Sequence, residues 1–332
     1  MRLSSIQHPA SRKMKKTMTC ALAVTAVALS TMSSVAGAQE FALYGGALFS
    51  EHDHSYSWAM DYTEGFGKYL AGSVTWLNEG HVPGHHRDGQ LVQIWGRLPL
   101  AQRRLVLALG IGPYRYYDTE QEGMGYSNSH GWGFVYSARA TWYSSQRWTA
   151  NLQVNRVQVP GEMSNTAVML GVGYQLDAPG GTGARDFALP RDHKVTNNEV
   201  DLMAGTSILN SLDSQHSFAG EIEYRRGLTN FLDGSLGYLY EGSHRNGVAA
   251  QLWLTRAFFS DRLSLGIGAG PYAAVHQSAL GNSGDGILSA LVSVSASYRI
   301  TPHWAARVTW NRVMTRYDRD TDTILGGIGY RF

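Results

Sequence analysis

From Phe41 onward, apolar and polar residues alternate with a period of two. Ile222 and Tyr224 fall on one face of an extended segment, and Glu221, Glu223 and Arg225 fall on the other. Leu263, Leu265 and Ile267 oppose Ser264, Gly266 and Gly268, while Val308 and Trp310 oppose Arg307, Thr309 and Asn311. The first half reads the same way. Trp58, Met60 and Tyr62 oppose Asp61, and Phe134, Tyr136 and Trp142 oppose Ser137, Arg139 and Thr141. This period marks β-strands with one apolar face. Strands are expected to begin near Phe41, Tyr56, Tyr69, Gln90, Arg104, Trp132, Trp148 and Thr166. A second set follows near Val200, Ser217, Phe231, Val248, Leu263, Gly286, Trp304 and Thr323.

The two sets are copies. Gln93-Ile94-Trp95 returns as Gln251-Leu252-Trp253, and Gly110-Ile111-Gly112-Pro113-Tyr114 as Gly268-Ala269-Gly270-Pro271-Tyr272. Asn155-Arg156-Val157 returns as Asn311-Arg312-Val313, and Gly171-Val172-Gly173-Tyr174 as Gly327-Ile328-Gly329-Tyr330. The order is kept throughout, which is the signature of an internal repeat. The expected organisation is a leader over 1–38, a first eight-stranded repeat over 39–177, a linker over 178–198 and a second repeat over 199–332.

Short connections (Gly65–Lys68, Pro99–Gln102, Ser144–Arg147, Ser260–Arg262) alternate with long polar ones (Glu79–Gly89, Thr119–Gly131, Gln277–Asp285, Arg316–Asp322). Membrane barrels place short turns on the periplasmic side and long loops outside. A basic side chain at mid-depth on a lipid-facing wall costs ~2–4 kcal/mol. The charged parity must therefore line the interior, which puts Asp61, Arg97, Arg139, Glu221, Glu223, Arg225 and Arg307 in a lumen. The expected fold class is all-β: a multi-pass transmembrane antiparallel barrel of about 16 strands, in a Gram-negative outer membrane. Closure as one porin-like barrel is the first expectation, and two tandem eight-stranded barrels are the alternative. Eight strands fill their interior with side chains, whereas sixteen leave a channel.

Composition narrows the class. Arg12, Lys13, Lys15 and Lys16 precede an apolar run from Ala21 to Leu29 and a small-residue site at Ala36-Gly37-Ala38, the pattern of a secretory signal peptide. Met1 and Met14 both serve as candidate starts. The only cysteine, Cys20, lies in this leader, so disulfides and cysteine metal sites are excluded after it. The 28 basic residues less the five in 1–38 leave 23 against 26 acidic ones, a balance of −3 that gives no support for nucleic-acid binding.

The last strand, through Ile328, Tyr330 and the terminal Phe332, resembles the sorting signal of outer-membrane barrel proteins. That resemblance implies the barrel assembly machinery as a partner. The halves are similar to eight-stranded barrels of the OmpA and lipid A deacylase types. The deacylase resemblance would imply a His-x-Ser pair on the penultimate strand. The matching strands carry Asn155-Arg156-Val157 and Asn311-Arg312-Val313 instead, so no catalytic residue is carried over.

Candidate chemistry outside the lumen is sparse. His52, His54, His81, His85 and His86 cluster with acids in two external loops and are candidate ligands for a transition metal. The plainer reading is a hydrated loop whose Glu and Arg pair across the rim. Ser127, Ser129 and His130 adjoin but lack a third group to orient them. Arg156 and Arg312 sit on the outward parity, where arginines suit lipopolysaccharide phosphates. No cofactor is expected. The functional expectation is a pore or structural protein for passage or export across the outer membrane, with an outer-leaflet lipid A acyl hydrolase or metal or ligand binding by the His-rich loops as alternatives.

Overall fold

The computed structural model describes residues 39–51, 53–176, 194, 197–277 and 287–332. The expected leader, His52 and most of the expected linker lie outside the described residues. Sixteen strands account for nearly all of the rest. The first eight are β1 (Gln39–Phe49), β2 (His54–Gly65), β3 (Leu70–Val82), β4 (His85–Leu100), β5 (Leu105–Glu122), β6 (Gly125–Tyr143), β7 (Trp148–Gln158) and β8 (Asn165–Gln175). The second eight are β9 (Asn198–Leu209), β10 (His216–Gly227), β11 (Leu232–Tyr240), β12 (Arg245–Phe258), β13 (Leu263–Gln277), β14 (Leu288–Arg299), β15 (Trp304–Met314) and β16 (Thr321–Arg331).

All neighbours pair antiparallel, and the strands close as two eight-stranded barrels rather than one wide barrel. β8 returns to β1, from Glu40↔Gln175 to Phe49↔Thr166. β16 returns to β9, from Thr321↔Leu209 to Arg331↔Glu199. The tandem alternative therefore holds, and the expectation of a single closure does not. Each half pairs its own first and last strands in continuous register, ten residue pairs at the first seam and eleven at the second, which leaves no edge to share with its twin. A Cβ on Gly46 would lie 2.0 Å from the Val168 carbonyl oxygen, and one on Gly205 would lie 2.0 Å from that of Ile324. Each half thus carries its own glycine where a narrow barrel brings its first and last strands together.

The walls are inverted relative to a soluble protein. Leu109 and Leu202 on the outer faces are 72% and 64% exposed, while Trp95 and Trp253 inside are each 1% exposed. Ile328, Tyr330 and Phe332 all lie exposed on the outer face of the last strand, with Tyr330 packed edge-on against Trp304 at 5.1 Å. An apolar outer belt around a polar interior is what a bilayer demands of a closed barrel.

Two expected loops turn out to be wall. Most of Glu79–Gly89 and Thr119–Gly131 belongs to β3–β6, which continue to tight turns at Pro83-Gly84 and Gly123-Met124. Gly84 and Gly123 supply the positive φ these turns require, at 76° and 59°. Alternation fades there because both faces of the wall are polar once it rises past Arg115 and Trp132, which pair across β5 and β6 at the upper edge of the apolar belt. The short turns are also duplicated. Ala101, Gln102 and Arg103 all have positive φ, as do Phe259, Ser260 and Asp261 at the matching place.

Closure is testable by disulfide capture, because the chain beyond residue 38 has no cysteine to interfere. Leu43 and Val172 are partners across β1 and β8. The double variant Leu43→Cys/Val172→Cys should crosslink on mild oxidation, read as a mobility change on non-reducing gels. A single wide barrel would leave these cysteines apart.

Candidate functional site

The seven lumen charges expected from the sequence lie on the inward parity of both barrels, and six of them are buried, Arg97 being half-buried. They are not loose. In the first barrel, Arg139 on β6 reaches Asp61 on β2 at 3.1 Å. These strands are four apart in a ring of eight, so the pair crosses the full lumen. Thr63 and Thr75 each donate to the Asp61 carboxylate at 2.6 Å. Arg139 also donates to Gln153 at 2.6 Å and stacks on Trp95 at 4.2 Å. Arg97, nearer the short-turn end, donates to the Gly67 carbonyl at 2.5 Å.

Above this tier the two copies coincide. Trp95 donates to Ser73, and Trp253 to Ser235, both at 2.9 Å. Gln93 donates to Ser137, which donates to Asn155; Gln251 donates to Ser293, which donates to Asn311. Gly110 and Gly268 make room for the indoles, since a Cβ at either would fall within 2.6 Å of the ring. Apolar layers follow, including Leu77, Leu91 and Met169 in one barrel and Leu239, Leu291 and Leu325 in the other. A bidentate bridge caps each: Arg87 on Glu79 at 2.8 and 2.9 Å, and Arg245 on Glu241 at 2.8 Å twice. Asn165 and Thr321, from the far wall, complete the two caps.

The lower tier of the second barrel is wired differently. Arg225 stacks on Trp253 at 3.8 Å and pairs with Glu223 at 2.9 Å. Arg307 bridges Glu199 and Asp201 at 3.0 and 2.9 Å, and Arg331 joins Glu199 at 3.0 Å. Glu221 accepts from Asn311 at 3.0 Å. A cavity of about 30 Å³ remains at this short-turn end, room for about one water.

The histidines divide between two faces. His81 and His86 stack outside the wall with centroids 3.9 Å apart, and Tyr56 bonds His81 at 2.8 Å. His85 turns inward and meets Asp118 at 3.3 Å. His54 is exposed at the start of β2. Among the described residues His85 is thus separated from His81 and His86, because neighbours on a strand point to opposite sides. Asp118 and Glu120, which the sequence reading passed over, join His85 within 4.8 Å. These groups stand above the apolar belt. There, burial and the nearby His81 and Arg312 push His86 down to about 4. Ser129 donates to Glu120 at 2.7 Å inside, while His130 meets Asp320 at 2.5 Å outside. The acid that His130 lacked comes from the second barrel, but the serine beside it faces away.

The barrels touch through residues of outward parity. Trp76 and Trp310 pack with centroids 4.2 Å apart. Their indole N–H groups donate to Asp88 at 3.3 Å and Asp322 at 2.9 Å. Arg312 holds both acids, bonding Asp322 through two nitrogens and Asp88 through a third. Asn128 donates to Asp318 at 2.7 Å higher up, and Arg256 pairs with Glu64 near the short-turn end. Trp76 and Arg312 are each 3% exposed, so neither is free for lipid. Arg156 stays exposed and bonds its cross-strand neighbour Thr166 at 3.0 Å.

No family model and no curated protein matches the chain. Similar solved structures include Neisserial surface protein A, at 10% identity over 43% of this chain and 99% of that one, with a TM-score of 0.35. The N-terminal β-barrel domain of Pseudomonas aeruginosa OprF matches at 10% identity over 42% and 98%, also at 0.35. Designed transmembrane β-barrels match at 16% identity over 42% and 99%, at 0.33.

Removing one partner of a buried bridge leaves the other charge stranded. Arg245→Ala should cost about 3–5 kcal/mol, measured by urea unfolding of the protein in detergent micelles. His86, kept neutral by burial, should titrate near pH 4 by ring-proton NMR. Because its folded pKa lies below the usual value of about 6.5, its own contribution to stability is lost as pH falls through that window. A midpoint at the ordinary value would place the ring in water.

Proposed function

We propose that the chain is an integral outer-membrane protein whose two barrels act as a closed structural unit that presents the raised β3–β6 wall at the cell surface. The reading rests on the lumens. Each is crossed by side chains from opposite walls: Arg139 to Asp61 in one barrel, and Arg245 to Thr321 at 2.5 Å in the other. Eight strands enclose an interior that such groups can fill. A solute or polymer passing through would have to break several buried ion pairs in sequence, each expensive to separate.

The exterior supports the membrane location. The apolar belt, the interfacial Trp142, Trp148 and Trp304, and the aromatic chain end all lie on outward faces and exposed. Beyond that belt, β5 and β6 extend for another seven residues, from Tyr116 to Glu122 on β5. This is roughly 20 Å of additional wall at the usual rise per residue. The clasp around Arg312 ties this wall to the second barrel. What the first barrel offers outside through β3–β6 is thus a fixed polar surface.

Planar-bilayer recording tests the reading. The purified protein should insert without stable conductance steps. A double variant removing the first barrel's barrier, Arg87→Gly/Arg139→Gly, should introduce brief openings. Steady unitary currents from the unaltered protein would favour a channel and reject the closed unit.

A further inference from the structure

We propose that His85, Asp118 and Glu120 bind one divalent transition-metal ion of the zinc class at the outer mouth of the first barrel. Each residue offers a ligand atom, and the three atoms lie within 4.8 Å of one another. The topology brings them together. β4 and β5 pair His85 with Glu120 and Arg87 with Asp118, and all four side chains share the inward parity. The rise of these strands past the apolar belt places the trio where external solvent reaches it.

A second observation points independently to a missing partner. The Asp118 side chain is 1% exposed. Its Oδ2 meets His85, while its Oδ1 is buried with no hydrogen-bond partner. A buried carboxylate oxygen left bare is costly, and a bound cation would satisfy it. Glu120 is held from behind by the Ser129 hydroxyl at 2.7 Å, which orients a ligating carboxylate. Neighbouring Arg87 is held by Glu79 through two hydrogen bonds, while its Nη1 is buried without a partner and its charge also acts on Asp118, so the two carboxylates must outweigh it when an ion binds.

The ligand set selects the metal class. Two carboxylates balance a dication, and an imidazole favours zinc, copper or nickel over magnesium or calcium. Three protein ligands leave a coordination position for water. The duplicated scaffold argues that the trio is an addition. The Glu–Arg cap beneath it recurs in the second repeat, yet the positions matching His85, Asp118 and Glu120 at the same offset are Ser243, His276 and Ser278. Packing of the barrel therefore does not require these three side chains. The proposal holds whether or not the lumen conducts.

Isothermal titration of the untagged, chelator-treated protein with Zn²⁺ in detergent micelles decides the matter. One ion per chain is expected. His85→Ala and Asp118→Asn should each weaken binding by more than about 100-fold, beyond the usual cost of losing an outer-shell partner. His81→Ala/His86→Ala should leave it unchanged. Heat-dependent gel mobility reports whether each variant has folded. If Asp118→Asn does not fold, Glu120→Gln and His85→Ala carry the test. No heat from the unaltered protein would overturn the proposal, as would binding that survives His85→Ala or is lost only in the His81/His86 variant.

Discussion

Charge in this protein has one permitted place. A hydrocarbon surface excludes ionic groups from the outer wall, and a narrow interior excludes the water that would otherwise solvate them. Inward Asp, Glu and Arg are therefore held by a counter-charge or by a polar group of the interior, a carbonyl for Arg97 and the Asn311 amide for Glu221. Arg139 with Asp61, and Arg307 with Glu199 and Asp201, are the resulting solutions. Such pairs add little net stability over an apolar filling of equal volume. What they provide is a unique alignment, since a one-residue slip of any strand would turn its charged set outward.

The same constraint explains the contact between the barrels. Trp76, Trp310, Asp88, Asp322 and Arg312 occupy the parity that elsewhere meets lipid. Two aspartates and an arginine are tolerable there only because each carboxylate is bonded by an indole and by the shared guanidinium. The cluster stands at the upper end of the walls, where a polar contact is least expensive. Packing of one apolar wall on another continues below it, as between Tyr62 and Phe258.

Much of this was legible in the residues. Period-two alternation located all sixteen strands, and the lumen charges followed from their parity. Three things were not legible, each for a physical reason. Lipid and a second barrel select the same apolar face, so Trp58, Met60 and Tyr62 read as lipid-facing although Trp58 and Tyr62 pack on the other barrel. Above the belt both faces of a strand are polar, so β3–β6 lost their alternation and read as loops. His81, His85 and His86 read as members of one loop because a strand's two sides are adjacent in sequence. Asp118 and Glu120 did leave a signal, two acids separated by one residue and hence on one face, but it straddled the expected end of a strand at Thr119. The number of barrels did not follow from alternation, because one sixteen-stranded closure and two eight-stranded closures give the same inward and outward parity.

The two copies share their framework of Trp, Ser, Gln and Asn but not their distribution of charge below it. In the first, a β6 guanidinium answers a β2 carboxylate. In the second, arginines on β15 and β16 answer acids on β9. Tandem repeats of like sequence are prone to exchange segments while folding. A hybrid cylinder built from β9–β12 and β5–β8 would leave Glu199 and Asp201 without Arg307 and Arg331. The divergent wiring thus acts as a lock and key between siblings, letting each half recognise its own strands and reject its twin's.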